Sequence, residues 1–173
     1  IFDTMNKEWK CKEVDFSYMV GVKRTFTNEE GVRTMHMTME SYIEGMFHAF
    51  KEFIPKRTQH TSCDPGMLLS LKNDSNPSEH KRVLDRGYQR AIGMILWAAR
   101  GVYPQCLYTI GQLCKVMSKP TEHAWRAAMQ LIGFMHDHRH DGIKFRSDGN
   151  IKPFLMSDAS NKADPIDSKR AYG

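Results

Sequence analysis

The spacing of apolar residues near the N-terminus predicts a β-hairpin followed by a helix. The stretch "FSYMVGVKRTFT" is rich in aromatic and β-branched residues, and "VRTMHM" follows it after "NEEG". This is the pattern of two antiparallel strands joined by a turn over residues 28–31. Apolar residues then recur with helical spacing, and Thr38 is placed to cap that helix; they are Met39, Tyr42, Ile43, Met46, Phe47 and Phe50.

The periodicity fails between Pro55 and about Lys81. This stretch is rich in proline, serine, asparagine and charge, which predicts a long extended connection. Such a connection is uncommon in a compact chain and is usually functional or a junction between units.

Three further helices are predicted after this connection. The first has an apolar stripe through Leu84, Tyr88, Ala91, Ile92, Ile95, Leu96 and Ala99. The second has one through Cys106, Leu107, Ile110, Leu113, Cys114 and Met117, with Pro104 in its first turn. The third is capped by Thr121 and carries Trp125, Ala128, Met129, Ile132 and Met135. Because short turns join them, we expect an antiparallel three-helix bundle.

The last part of the chain predicts two short strands. They are "GIKF" and "IKPFLMSD", separated by the glycine-containing turn "RSDGN". Asp158 ends the second strand, and a polar stretch with Asp164 and Asp167 follows. The predicted fold class is therefore α+β: a hairpin and helix, a helical bundle, and a short closing hairpin.

Composition adds a basic character to this picture. The formal net charge is +5, which favours a polyanionic partner such as nucleic acid because phosphate contacts release counterions. No apolar run approaches the roughly 20 residues that a membrane-spanning helix needs, so no membrane partner is predicted. The four cysteines lack paired spacing and are interpreted as reduced thiols in an intracellular protein.

Few residue patterns point to catalysis or metal binding. The run "HDHRHD" alternates His136, His138 and His140, and imidazoles can ligate zinc or copper. On a helix this spacing directs them to different faces, so we favour a solvated helix end over a metal site. Glycines 87 and 93 fall inside a predicted helix, where glycine usually permits close helix packing.

Asp158 is the remaining candidate for chemistry. A carboxylate at a strand end can ligate Mg²⁺, but two-metal nucleases need several carboxylates around the scissile phosphate. From spacing alone, a strand-end or turn aspartate is the favoured interpretation.

Several motifs resemble the polyproteins of copia-type retrotransposons over nearly the whole chain. "MVGVKR" and "MHMTMESYIEGMFHAF" are similar to the end of the reverse transcriptase palm, and "TSCDPGMLLS" resembles the connection that follows it. "MSKPTEHAW", with the helices around it, resembles the segment after the polymerase core. "SDASNKADPIDSKRAYG" is similar to the opening of the ribonuclease H domain.

The resemblance implies three segments and one site residue. Residues 1–54 would be the C-terminal part of the palm, 55–140 the connection and a thumb-like helical region, and 141–173 the first strands of a truncated ribonuclease H-like domain. Asp158 matches the first metal-binding carboxylate of the ribonuclease H site. Asp164 and Asp167 match acidic positions that the family does not use as principal ligands.

The resemblance also implies a function for the parent protein. The parent would act as an RNA-directed DNA polymerase and ribonuclease H with Mg²⁺, inside the cell in a cytoplasmic particle or the nucleus. This chain lacks the paired polymerase aspartates and most ribonuclease H carboxylates, so we expect no activity and no tightly bound cofactor from it alone. Its expected partners are an RNA/DNA hybrid or duplex backbone and the rest of the polyprotein. The alternative is a standalone, non-enzymatic nucleic-acid-binding helical module.

Overall fold

A computed structural model describes Trp9 and residues 15–70 and 76–147. Within these residues the fold combines a four-stranded antiparallel sheet with five α-helices. The predicted α+β class is thus confirmed at this level. The second closing strand, with Asp158, Asp164 and Asp167, lies outside the described residues.

The sheet has the strand order β1-β2-β3-β4. Its strands are β1 (Tyr18–Met19), β2 (Val22–Glu29), β3 (Val32–Thr38) and β4 (Ile143–Ser147). Strands β2 and β3 form the predicted hairpin, and Glu30 and Gly31 make its turn with φ values of 51° and 81°. Two consecutive positive φ values are typical of the hairpin turn whose twist matches that of the strands.

Strand β4 pairs with β3, far away in the sequence. The sequence predicted a hairpin between β4 and the segment after it, and that segment is not among the described residues. The observed pairing attaches "GIKF" to the hairpin near the N-terminus. Met37 faces Ile143 and Met35 faces Phe145 in this register.

The helices carry most of the fold. They are α1 (Glu40–Phe50), α2 (Pro77–Asp85), α3 (Tyr88–Gly101), α4 (Leu107–Lys115) and α5 (Glu122–Asp137), with a 3₁₀ turn (Pro104–Cys106) before α4. α1 packs against α5, and α3 packs against α4, α1 and α5.

Two predicted helix starts were wrong. Thr38 is the last residue of β3, and its hydroxyl lies 3.2 Å from a Glu40 carboxylate oxygen instead of capping α1. The connection after Pro55 ends earlier than predicted, because α2 begins at Pro77. Asn76 caps this helix by accepting a hydrogen bond from the Glu79 amide at 3.2 Å, and proline suits a first helical position.

The apolar stripe from Leu84 to Ala99 belongs to two helices instead of one. The break lies at Gly87, whose φ of 92° is a left-handed conformation that glycine adopts without steric cost. The prediction that Gly87 lies inside a helix was therefore wrong. The cap at Thr121 is confirmed, because its hydroxyl accepts a hydrogen bond from the Ala124 amide at 3.2 Å.

The core lies between the helices, on the faces that the spacing predicted. Fully buried side chains include Ile43, Met46, Ile92, Ile95, Leu113 and Ile132. Leu107 departs from the prediction, since it is 44% exposed on α4. Cys106 is buried, which raises the pKa of its thiol to about 12, and the half-buried Cys114 packs against the core.

Two buried tyrosines make the fold sensitive to alkaline pH. Burial raises the pKa of Tyr88 well above its usual range and raises that of Tyr103 to about 12. The unfolded chain would lose these protons near pH 10 while the folded chain keeps them. Each tyrosine therefore contributes stability that is fully present below about pH 10 and is lost as the pH rises towards its folded pKa.

We expect these tyrosines to cause no change in the free energy of unfolding in urea as the pH rises to about 9. Above pH 10 it should fall by at most about 1.4 kcal/mol per pH unit for each tyrosine. A Tyr103→Phe variant should show a shallower decline. An equally steep decline in that variant would contradict the assignment.

Candidate nucleic-acid interface

The three histidine rings of the run "HDHRHD" do not converge on one point in the structure. α5 ends at Asp137, so the run lies at a helix end as predicted. Each ring has a different carboxylate neighbour: His136 lies 3.3 Å from Glu44, His138 lies 3.1 Å from Asp141, and His140 lies 3.2 Å from Glu40. The His136 ring also stacks on Phe47, with 3.8 Å between centroids. The contacts of His136 and His140 join the end of α5 to α1.

Within the described ranges, no group of three or more histidine, cysteine or acidic side chains is arranged to hold a metal ion. Asp158, the predicted magnesium ligand, is outside those ranges, so its surroundings are not described.

The segment "MSKPTE" docks α2 against the start of α5. The His80 ring lies 3.0 Å from the carbonyl oxygen of Pro120, and the Glu79 carboxylate accepts a hydrogen bond from the Glu122 amide at 2.7 Å. Arg86 pairs with the Glu122 carboxylate at 2.8 Å. A carboxylate beside the first amides of a helix is favourable because those amides have no partner within the helix. This motif therefore fixes the orientation of α2 relative to α5.

The outer face of α3 combines an exposed glycine with an aromatic ring and two arginines. We define it by Arg90, Gly93, Trp97 and Arg100, which recur at three- and four-residue intervals and are all exposed. Trp97 is 50% exposed, although tryptophan is largely buried in most proteins. In the described part of the chain, neither Arg90 nor Arg100 forms an ion pair.

Gly93 makes this face unusual. A Cβ atom at this position would meet none of the described atoms outside its own helix within 4 Å. The sequence-based interpretation, that Gly93 permits close helix packing, was therefore wrong for the described helices. Glycine in an exposed helix costs about 1 kcal/mol relative to alanine, and packing among the described residues does not account for it.

The opposite side of α3 holds this face in place. Tyr88 is fully buried and donates a hydrogen bond from its hydroxyl to the Leu113 carbonyl on α4 at 2.9 Å. Tyr42 of α1 donates to the Met94 carbonyl at 3.2 Å. Because α3 is anchored to two helices, its outer face is presented on a rigid element.

A row of aromatic rings leads away from Arg90. The Arg90 guanidinium lies 5.8 Å from the Phe50 ring centroid, Phe50 meets the Trp125 ring edge-on at 6.2 Å, and Phe53 meets Trp125 at 5.3 Å. Phe53 also lines a cleft of about 320 Å³ between α5 and the loop after α1.

This cleft carries two further arginines. Arg57 and Arg126 line it, together with His123 and one acidic residue, Asp64, which lies 3.4 Å from the Gln130 amide nitrogen. No described residue forms an ion pair with Arg57 or Arg126. The outer face of α3 and this cleft are thus two basic surfaces, both suited to phosphate groups. The Phe50 and Trp125 rings between them are buried.

The sequence interpretation did not single out the outer face of α3. Trp97 lies off the apolar stripe of its helix and in phase with Arg90 and Arg100, and this spacing was the available signal. An aromatic residue on the polar side of an amphipathic helix has no packing role in the core.

Comparison with protein-family models, curated proteins and solved structures finds no match to this chain. None of the helices in the described residues combines the length and apolar character needed to cross a bilayer.

Proposed function

We propose that this chain binds the backbone of a nucleic-acid duplex through the outer face of α3. The observation that supports this most is the exposed Gly93, which shares a helix face with the half-exposed Trp97. Arg90 and Arg100 flank these two residues and form no ion pair in the described residues. Arginine contacts phosphate oxygens through several donors. A glycine lets the helix backbone approach the sugar–phosphate surface closely.

The aromatic ring supplies a complementary contact. Trp97 offers a large apolar surface to the deoxyribose or ribose rings, and its indole N–H can donate a hydrogen bond. These contacts do not read base edges, so binding should depend on duplex shape and charge more than on sequence.

The biological setting that we propose is a copia-type retrotransposon polyprotein. The chain would contribute the end of the palm, the connection and a thumb-like region, and the start of a ribonuclease H-like domain. The parent would copy RNA into DNA and cleave the hybrid with Mg²⁺, with Asp158 as the first carboxylate of the ribonuclease H site. Its partners would be the RNA/DNA hybrid and the remainder of the polyprotein, within a cytoplasmic particle or the nucleus.

The motif resemblance of "MSKPTEHAW" and "SDASNKADPIDSKRAYG" supports this setting. A standalone binding module would use the same α3 face. Sequencing the complete transcript separates them, because the polyprotein requires polymerase aspartates upstream and further carboxylates downstream.

Gly93→Ala tests the duplex interface directly. We expect the added methyl group to raise the free energy of unfolding by about 0.5–1 kcal/mol, because alanine favours the helix. The same methyl should hold the helix away from the duplex and weaken binding to a labelled RNA/DNA hybrid about tenfold, measured by fluorescence anisotropy.

Gly45→Ala is the matched control. Gly45 is also exposed in a helix, α1, and its Cβ would likewise meet no atom of the described residues within 4 Å. This variant should gain similar stability and bind the hybrid like the wild type. Wild-type affinity in Gly93→Ala would refute the proposed interface.

A further inference from the structure

The sheet carries a second exposed aromatic surface, which we call the sheet platform. Phe26, Met35 and Phe145 face each other in register on β2, β3 and β4, and so lie side by side on one face. Phe26 is 56% exposed and Phe145 is 53% exposed. Neighbouring strands are about 4.8 Å apart, so the two rings lie roughly 10 Å apart.

The loop before β1 extends this platform. The Phe16 ring stacks on Phe26, with 6.0 Å between centroids and 19° between planes. The Arg24 guanidinium lies 4.6 Å from the Phe16 centroid and donates a hydrogen bond to the Phe16 carbonyl at 3.0 Å. The apolar surface is therefore continuous from the loop, through Phe26 and Met35, to Phe145 on β4.

Cations border the platform. A groove over it is lined by Phe26, Met35, Phe145, Arg33 and Arg146, and no acidic side chain is among its described lining residues. Neither arginine has an ion-pair partner in the described residues. The four strands and the β2–β3 turn contain five lysines and arginines but two acidic residues, Glu29 and Glu30.

We infer that the sheet platform binds single-stranded nucleic acid, with bases stacked on Phe26 and Phe145 and phosphates held by Arg33 on the same face and by Arg146, which borders the groove from the other face of β4. Stacking on exposed rings needs access to the faces of the bases. A duplex hides those faces in its own stack, whereas a single strand exposes them. This surface is separate from the outer face of α3, and the inference does not depend on the duplex proposal.

Charge favours this ligand over a second copy of the chain. Two platforms packed face to face would bring Arg33 of both copies close together, and no acidic side chain among the described lining residues would offset them. A single strand brings a phosphate for each base, so it can contact the exposed rings and the bordering arginines at the same time.

The test measures anisotropy of a labelled oligothymidylate of about 12 nucleotides with the full chain. We expect Phe26→Ala combined with Phe145→Ala to weaken binding about 30-fold or more, because each stacked base accounts for at least a roughly fivefold change. The aromatic replacement Phe26→Tyr with Phe145→Tyr should retain binding within about threefold of the wild type. Circular dichroism of each variant checks that the sheet is intact.

Three controls test whether binding depends on this face of the sheet, on the α3 face and on the bases. Thr25→Ala alters the opposite face of β2, away from the groove, and should leave oligothymidylate binding unchanged. Gly93→Ala should also leave it unchanged, which separates failure of this inference from failure of the duplex proposal. Polyglutamate should compete poorly, since it offers charge without bases to stack.

Each of the following results would overturn the inference. They are wild-type affinity in the double alanine variant, an equal loss in the opposite-face control, and polyglutamate competition as strong as that of the oligonucleotide. A dimer in sedimentation that the alanine variant dissociates would likewise overturn it, because the platform would then be an interface between copies.

Discussion

Replacing Gly142 by alanine is expected to lower the free energy of unfolding by about 3 kcal/mol or more. Gly142 precedes β4 with a φ of 66°, a left-handed conformation that costs other residues about 1–2 kcal/mol. An added Cβ would also overlap the Met37 carbonyl oxygen of β3 and lie 3.1 Å from the Thr38 methyl carbon. Backbone atoms in a paired strand cannot move away cheaply, so the start of the β3–β4 pairing should be lost. Urea unfolding followed by circular dichroism measures the change.

Gly31→Ala provides the comparison for this prediction. Gly31 has a φ of 81°, but a Cβ there would meet nothing within 4 Å in the part of the chain that the structure describes. This variant should therefore incur the conformational cost alone, about 1–2 kcal/mol. The difference between the two variants isolates the contribution of the backbone overlap. Equal destabilisation would show that β4 does not enter the sheet with the register described.

Reversing the charge of both arginines on the outer face of α3 should have the largest effect on binding. We expect Arg90→Glu with Arg100→Glu to weaken the RNA/DNA hybrid complex by about 100-fold or more at 0.1 M salt, because two phosphate contacts become repulsive. The slope of log affinity against log salt should also become shallower by about 2, or roughly 0.9 for each lost contact. Both side chains are exposed, and neither forms an ion pair in the described residues, so the fold should tolerate the change.

A second double reversal controls for net charge in this experiment. Arg33→Glu with Arg146→Glu removes the same charge from the sheet platform, away from α3. It should weaken hybrid binding far less than the α3 variant while strongly weakening oligothymidylate binding. Equal losses of hybrid affinity would mean that the duplex responds to total charge, and the α3 interface would be rejected.

Local pattern accounts for the parts of this fold that were predicted well. The burial of Ile43, Met46 and Ile132 followed from helical spacing, because an amphipathic helix has one face on which it can exclude water. The β2–β3 hairpin followed from two apolar segments separated by a glycine-containing turn. The start of α2 was missed, although asparagine before proline with glutamate shortly afterwards is a capping signal, because the polar composition around it outweighed that signal.

The candidate surfaces were harder to predict, because they depend on which exposed residues lie together. Arg90 and Trp97 belong to one helix and could have been grouped by their spacing. Their position relative to the basic cleft depends on the buried rings of Phe50 and Trp125, which come from two other helices. A one-dimensional pattern contains no information on such packing.

The amino-acid order alone was enough to establish an α+β chain, the inward faces of its helices, its hairpin and its basic character. These properties depend on neighbours a few residues apart and on overall charge, so they can be inferred without coordinates. The pairing of β4 with β3, the exposure of Gly93 and the alignment of Phe26 with Phe145 became apparent only from the folded arrangement. Each depends on segments distant in the chain, whose association is governed by the packing of the whole core.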